Sequence, residues 1–422
     1  MKILYASQSF LPSTGGVSYY LAWLGRRLKE LGHEVVFVNM KPPRGKAIES
    51  IAGFKVFRVP AEGEFGKETL QGYTEFKEIV LKVFHNKKVP LETFYNKHLY
   101  GFNDYIKVNE AFHKRILEVI RSEDPDIIHV HDFQLLSSVA LLKGIHLPLV
   151  FTWHIPFTEE IHHDWREFVI RHISHCASSV FSTKHYVSAA IKSGIPFDRV
   201  TVIPPFIDVE EPKLSFREKF GIGWDEKLII CVARIDRFKG QDILLEAAAK
   251  LDFRYRLVFI GNGSFSKDIL RVKDKEEYRS ELRERANQPI YGGRVILAGA
   301  IDRELLMAAY KECDLVVLPS LHEGFGLAIS EGMAFGKPVI GTAVGGIPSQ
   351  IWPGINGYLV RPNDPGSLAG AIKHIIKNPI LAEEMGRRSK EIYEKHFSTK
   401  RGADDHIQLY SNILKYGSGS GD

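Results

Sequence analysis

The 422-residue chain holds only three cysteines, Cys176, Cys231 and Cys313, far apart and odd in number. That excludes a disulfide framework, and their spacing fits no zinc-ligand pattern. Three buried thiols in a reducing, cytoplasmic compartment are the expectation. Long apolar runs are missing too: none approaches the roughly 18 residues that a membrane span needs. Met1-Lys2 runs straight into Ile3 to Ala6, a strand-like segment with no small-residue cleavage site behind it, so no signal peptide is expected. Nor does one sign of charge dominate. The balance of 56 basic and 51 acidic residues leaves +5, too mild to argue for nucleic acid and suited to phosphorylated substrates. With 44% hydrophobic residues, wholesale disorder is excluded. Low complexity is confined to Gly417–Asp422, read as a flexible tail.

At about 150 residues per domain, the length favours two large domains. Ile3 to Ala6 predicts a buried strand, Pro12 to Gly16 a turn, Val17 to Leu31 a helix, and Glu34 to Asn39 a second strand. Strand, glycine turn, helix, strand opens a doubly wound parallel sheet. Further strands are expected at Ile127–Val130, Leu149–Thr152, Ser179–Ser182 and Thr201–Ile203. The pattern then restarts with Leu228–Val232, a helix over Gln241–Leu251, and strands at Arg256–Ile260, Val295–Leu297, Leu315–Leu318, Pro338–Thr342 and Gly357–Val360. Two α/β domains follow, with a boundary near Pro204-Pro205, where proline resists helix and central strand alike. Residues 62–120 interrupt the first repeat with aromatic and basic residues, among them Phe76, Phe84, Lys97 and Lys107. The stretch is read as helical, most clearly over Tyr105–Ile120, and as an acceptor-side insertion, a membrane-surface patch or packing.

The densest chemical signal is PSLHEGFGLAISEGMAFGKPVIGTAVGG, Pro319 to Gly346. A strand ends, a glycine turn follows, and Leu327 to Phe335 begins a helix. Such a helix start offers unpaired N–H groups and the positive dipole end to a diphosphate. Gly324 and Gly326 allow close backbone approach. Glu323 stands before the turn, where it can accept hydrogen bonds from sugar hydroxyls, and Glu331, eight residues on, can take a ribose diol. A second signal, ARIDRFKG, places Arg234 and Lys239 in a loop between strand and helix, as a leaving diphosphate requires.

Glu323 and Glu331 at E-x7-E spacing, the intervening GFGLAIS and the ARID-RFKG segment resemble the retaining glycosyltransferases of family four. The resemblance implies the GT-B fold, two Rossmann-like domains with a cleft between them. It assigns Arg234 and Lys239 to the donor diphosphate, Glu331 to the ribose, and Glu323 with the amides of Gly324, Phe325, Gly326 and Leu327 to the transferred sugar. Gly15 and Gly16 match the family's first glycine loop, which by the resemblance faces the donor diphosphate and the acceptor. The last helix, Glu394 to Lys415, is expected back on the first domain, giving 1–205 plus 394–416 and 206–393. Asp104 to Phe112, His129 to Phe133 and Trp153 to Phe157 resemble the trehalose-phosphate synthases and glycogen-synthase-like relatives. That likeness implies Asp132 on the acceptor and His154 on the donor sugar; helix capping and core packing are the plainer roles for the same two residues. The chain carries Glu323 where those synthases carry aspartate.

Weaker candidates remain. Asp124-Pro125-Asp126 is read as turn chemistry. His162-His163 and His172 with His175 lack, on this reading, a carboxylate or cysteine frame, so no metal is expected. Gly261-Asn262-Gly263 suits a loop lining the nucleotide, and Gly345-Gly346 suits a close pass or a plain turn. The expectation is a soluble, metal-independent enzyme that needs no cofactor beyond its nucleotide diphosphate sugar. The acceptor expected is a sugar or sugar phosphate, held in part by basic residues such as Lys107. A lipid-linked acceptor, a non-catalytic sugar-nucleotide binder and a sugar-nucleotide epimerase are the alternatives.

Overall fold

The computed structural model describes residues 1–12, 15–261 and 269–416. Part of the Pro12–Gly16 turn, Asn262 and Gly263, and the tail from Gly417 lie outside them. The chain divides into two units, Met1–Pro205 with the segment from Thr399, and Phe206–Ser398.

Unit 1 is built on eight strands: β1 Lys2–Ser7, β2 Glu34–Met40, β3 Ile48–Ile51, β4 Phe54–Val59, β5 Ile127–His131, β6 Leu149–Trp153, β7 Ser178–Phe181 and β8 Val200–Val202. Their order is β3-β4-β2-β1-β5-β6-β7-β8. Every pair is parallel except β3 with β4. The central strands β5 and β6 are buried along their whole length, as expected of a parallel sheet covered on both faces. The order reverses between β1 and β5, so ligands are expected beyond the carboxyl ends of these strands.

The 62–120 segment is helical over Lys67–Phe84 and Phe102–Glu123. Most of its rings face inward, Tyr95 being exposed. Phe76 and Phe84 are buried, and the Phe76 ring packs at a tilt against Phe102, Tyr105 and Trp165. The aromatic content that suggested a membrane surface is therefore largely core, and no helix among the described residues is long and apolar enough to cross a membrane.

The returning helix spans Thr399–Tyr416. Glu394 still belongs to the preceding helix, Pro379–His396, so the return begins later than the sequence suggests. Gly402, Ala403, His406 and Tyr410 recur at three- and four-residue spacing and are buried as one face. That face ends in a polar lock. The Tyr410 hydroxyl lies 2.8 Å from the Tyr5 hydroxyl and 2.6 Å from His129 Nδ1, and His406 Nε2 lies 3.2 Å from the Tyr20 hydroxyl.

Unit 2 holds β9 Lys227–Val232, β10 Tyr255–Ile260, β11 Val295–Gly299, β12 Leu315–Leu318, β13 Val339–Thr342 and β14 Gly357–Val360. All are parallel, in the order β11-β10-β9-β12-β13-β14. Here the order reverses between β9 and β12. Where the chain enters and leaves, Ile207 N–H donates to Phe397 O at 3.0 Å and the Tyr393 hydroxyl to Ile207 O at 3.1 Å. All three cysteines are buried and unpaired.

The polar lock generates a stability prediction. Tyr410→Phe strips a hydrogen bond from buried His129 and should cost about 1–3 kcal/mol. Thermal unfolding should start at lower temperature in the variant; an unchanged midpoint contradicts the account.

Candidate active site

In unit 2 both sequence signals come together at the strand-order reversal. β9 ends at Val232 and the chain turns through Arg237–Lys239 to Gly240, at φ +65°. A Cβ on Gly240 would stand 2.2 Å from Pro319 O, so only glycine lets this loop approach the end of β12. The Phe238 carbonyl accepts from Leu321 N–H at 2.7 Å, fixing the two loops side by side. Lys239 Nζ thereby meets Glu323 Oε2 at 2.7 Å, with the side chains 13% and 14% exposed.

Glu323 is saturated on most sides. Oε2 also accepts from the Ser320 hydroxyl at 3.2 Å, and Oε1 from Gly324 N–H at 3.1 Å. Burial works to raise its carboxyl, but Lys239, the Gly324 amide and Ser320 together hold it below the ordinary glutamate range. Of the roughly four acceptor positions on a carboxylate, about one is left for a ligand hydroxyl.

The next turn presents amides. Gly346 N–H donates to Gly324 O at 2.9 Å, and Gln350 Nε2 donates to Phe325 O at 2.5 Å and Gly326 O at 3.3 Å. A trans peptide sets its N–H opposite its C=O, so the N–H groups of Phe325, Gly326 and Leu327 each point away from these ties. Successive amides of this kind form an anion-binding concavity. Gly326, at φ +89°, starts the helix Leu327–Ala334, and no side chain caps it. A Cβ on Gly345 would sit 1.8 Å from Glu323 O, so the Gly345-Gly346 pair packs under the Glu323 turn.

Glu331 lies on that helix, mostly buried. Its Oε2 accepts from the Tyr310 hydroxyl at 2.8 Å and its Oε1 stands 3.7 Å from Arg303. Burial pushes its carboxyl above the usual range. Arg234 is exposed in the loop after β9, its carbonyl held by Gln241 Nε2 at 2.7 Å. Gly261 passes close to Ala233 O, while Asn262 and Gly263 lie outside the described residues.

Unit 1 places Asp132 and His154 just beyond β5 and β6. Asp132 has φ +72°, rare for a non-glycine residue, and its Oδ1 accepts from His154 N–H at 3.3 Å. Burial raises its carboxyl to about 6. His154 Nε2 lies 3.0 Å from His131 Nδ1, and burial lowers His154 to about 3, so its ring is neutral near pH 7. Gly15 precedes the helix Gly16–Glu30, and the space beside both glycines is open.

Lys107 stands apart from the turn that carries Asp132. Tyr105 and Asn109, four apart, face the turn after β5 through bonds to Phe133 O and Gln134 O. A residue midway between them on a helix points elsewhere. Lys107 is 63% exposed and pairs with Asp104 at 3.1 Å. The histidine reading also needs amending, because Asp164 is a carboxylate beside His162 and His163. Among the described residues these three form the one group with ligand atoms within 4.8 Å of one another. His172 and His175 instead hydrogen-bond Phe168 O and Val139 O. Asp124, at φ +48°, closes the Phe102–Glu123 helix, while Asp126 accepts from Lys2 N–H at 2.7 Å and ties the loop to the start of β1. Gln350 and Ser320 are contributors that the sequence did not flag: Gln350 reaches Phe325 and Gly326 from another loop, and Ser320 reaches Glu323 from three residues before it.

Residues 213–392 match the family model described as Glycosyl transferases group 1, and residues 88–211 that of Glycosyltransferase Family 4. The chain belongs to the family-four, group 1 glycosyltransferases. This glycosyltransferase is 27% identical over 369 residues to the trehalose synthase of Pyrococcus horikoshii, covering 82% of this chain and 80% of that protein. It is 31% identical over 237 residues to the D-inositol 3-phosphate glycosyltransferase of Xylanimonas cellulosilytica, covering 53% of each. In fold it resembles the E. coli trehalose-6-phosphate structure bound with UDP-2-fluoro glucose, with TM-score 0.79, 17% identity, and 98% and 99% of the two chains covered. The sucrose-phosphate synthase of Thermosynechococcus elongatus gives TM-score 0.73 at 20% identity, covering 98% of this chain and 99% of that one. The glycosyltransferase therefore has the GT-B fold.

The ion pair of this glycosyltransferase predicts a pH signature. Glu323 has a depressed folded-state value, so its stabilisation is present above the unfolded value of about 4.5 and fades as pH falls through the folded one. Glu323→Gln should lose about 3 kcal/mol near pH 7. The gap between wild type and variant in thermal midpoint should close in acid; a gap independent of pH contradicts the ionised pair.

Proposed function

We propose that this glycosyltransferase moves a hexosyl group, glucose or mannose, from a nucleotide diphosphate sugar to a soluble sugar or sugar-phosphate acceptor, with retention at the anomeric carbon and without a metal ion. The observation that carries the reading is the Lys239–Glu323 pair beside the amide turn and uncapped helix start, at the carboxyl ends of β9 and β12. Cation, amides and helix dipole converge where negative charge would develop on a departing phosphate. Similar structures include the Anabaena protein HepE in complex with UDP and glucose, which supports a nucleotide sugar as donor.

In this reading Arg234, Lys239 and the amides of Phe325 to Leu327 hold the diphosphate, and Glu331 takes the ribose through the acceptor capacity that Tyr310 leaves. Glu323 accepts a sugar hydroxyl. Gly15 and Gly16 of unit 1 are assigned to the donor loop, His154 to the transferred sugar as a neutral ring, and Asp132 to an acceptor hydroxyl. The bond from the anomeric carbon to the phosphate oxygen breaks as the acceptor oxygen bonds the same face. The acceptor's proton passes to the departing phosphate oxygen, so no second carboxylate is required.

Lys239→Ala and Arg234→Ala should each lower kcat about 10²- to 10³-fold, the loss typical of one removed leaving-group stabiliser. Labelled donors assayed by NMR should yield a glycoside of unchanged anomeric configuration, at a rate that EDTA leaves unaltered. Epimerised or free sugar as the main product, or near-wild-type rates in both variants, contradicts the proposal.

A further inference from the structure

β5 ends in His129-Val130-His131, and the two-residue period of a strand puts both histidines on one face of the sheet. Their rings stack there with centres 4.1 Å apart, and both side chains are fully buried. Their hydrogen bonds differ. His129 engages both ring nitrogens with hydroxyls, Nδ1 with Tyr410 and Nε2 with Thr152, each at 2.6 Å. His131 makes one hydrogen bond, between its Nδ1 and His154 Nε2 at 3.0 Å. Its Nε2 is buried with no partner among the described residues. An orphaned ring nitrogen in a core costs free energy, which an apolar ring of similar size would avoid. Packing therefore does not account for a histidine here.

Its partner is held on three sides. His154 Nε2 faces His131, the His154 backbone N–H donates to Asp132 Oδ1 at 3.3 Å, and the Tyr20 ring stands edge-on to the imidazole with centres 5.1 Å apart at 77°. His154 Nδ1 has no hydrogen-bond partner among the described residues. Neither ring is charged near pH 7, since burial lowers both below the ordinary histidine range. Two neutral imidazoles at 3.0 Å place one proton between their facing nitrogens. If His154 supplied it, His131 would carry its own proton on the buried Nε2, as an N–H with nothing to donate to. Orphaned buried N–H groups are rare. If His131 supplies it from Nδ1, its Nε2 is bare, and His154 carries its proton on Nδ1. Only this second arrangement leaves no N–H of His131 unmet in the core.

We infer that His131 is a positioning residue: by donating from Nδ1 to His154 Nε2 it fixes the tautomer of His154, which then presents an Nδ1–H donor to a hydroxyl oxygen of the transferred hexose. The inference rests on the assignment of His154 to the donor sugar, and deepens it by naming the atom, the proton and the residue that places both. A hydroxyl both donates and accepts, so an unrestrained imidazole meets it in either tautomer. Fixing one tautomer sets the direction of the hydrogen bond before the sugar arrives, and the ordering is then not a cost of binding.

NMR of the full chain carrying nitrogen-labelled histidine reads the tautomer directly, with His154 identified by the signal lost in His154→Asn. The wild type should show neutral His154 protonated on Nδ1. A proton on Nε2 overturns the inference, whether or not any sugar nucleotide binds. Two variants then separate positioning from packing. His131→Phe keeps a buried ring without the donor, while His131→Asn restores a donor N–H near the place of Nδ1 on a smaller side chain. Calorimetry with UDP-glucose against UDP, and GDP-mannose against GDP, gives the affinity of each sugar nucleotide relative to its nucleotide. For the better-bound pair this relative affinity should fall about fivefold in His131→Phe and stay within about twofold of wild type in His131→Asn. No fall in His131→Phe, or an equal fall in both variants, overturns the inference. UDP and GDP alone report on the donor reading in the same titrations. A wild type that binds neither contradicts that reading, while the spectrum still decides the tautomer, so the two fail separately.

Discussion

One ion pair organises the chemistry-bearing half of this protein. Lys239 and Glu323 come from loops 84 residues apart, and they meet because β9 and β12 are neighbours at the point where strand order reverses. A mostly buried pair of this kind is weak evidence for stability in itself, since desolvation offsets much of the attraction. Its value lies in position. The pair holds a cation and a carboxylate in fixed relation to a turn whose carbonyls are tied back by Gly346 and Gln350. Glycine at 240, 326 and 345 is what permits three backbone segments to converge there.

Unit 1 uses buried polar groups differently. His129, His131, His154 and His406 are all held below the ordinary histidine range, chiefly by burial. They are neutral hydrogen-bonding groups rather than cations. Through Tyr410 and His406 they tie the returning helix to β1, β5 and the first helix, so the C-terminal segment is a structural part of the unit that starts the chain. His154 and Asp132 stand at the edge of the same network, at strand ends where an open sheet leaves room for a ligand.

Much of this was legible where chemistry is local in sequence. Arg234, Lys239, Glu323, the glycine turn and Glu331 each lie at a strand–loop–helix junction, and the junction itself is written in the hydrophobic pattern. The β3–β4 hairpin was not legible, because its turn pairs Ala52 with Gly53, both at positive φ, where asparagine or aspartate would have signalled it. Contacts made across the fold escaped as well. Gln350 acts on residues 24 and 25 positions away, and Lys77 on Gln8, 69 away. Composition showed a basic insertion, but which lysine turns inward depends on helix phase against its neighbours.

The central claim is that the Lys239 ammonium and the adjoining amides receive the second phosphate of a nucleotide. The most direct measurement is the binding of UDP, GDP and ADP against their monophosphates, by calorimetry, in the wild type and in Lys239→Ala. The account predicts that the preferred diphosphate binds the wild type about tenfold or more tighter than its monophosphate, and that this ratio collapses toward one in the variant. A ratio that is the same in both proteins would contradict it.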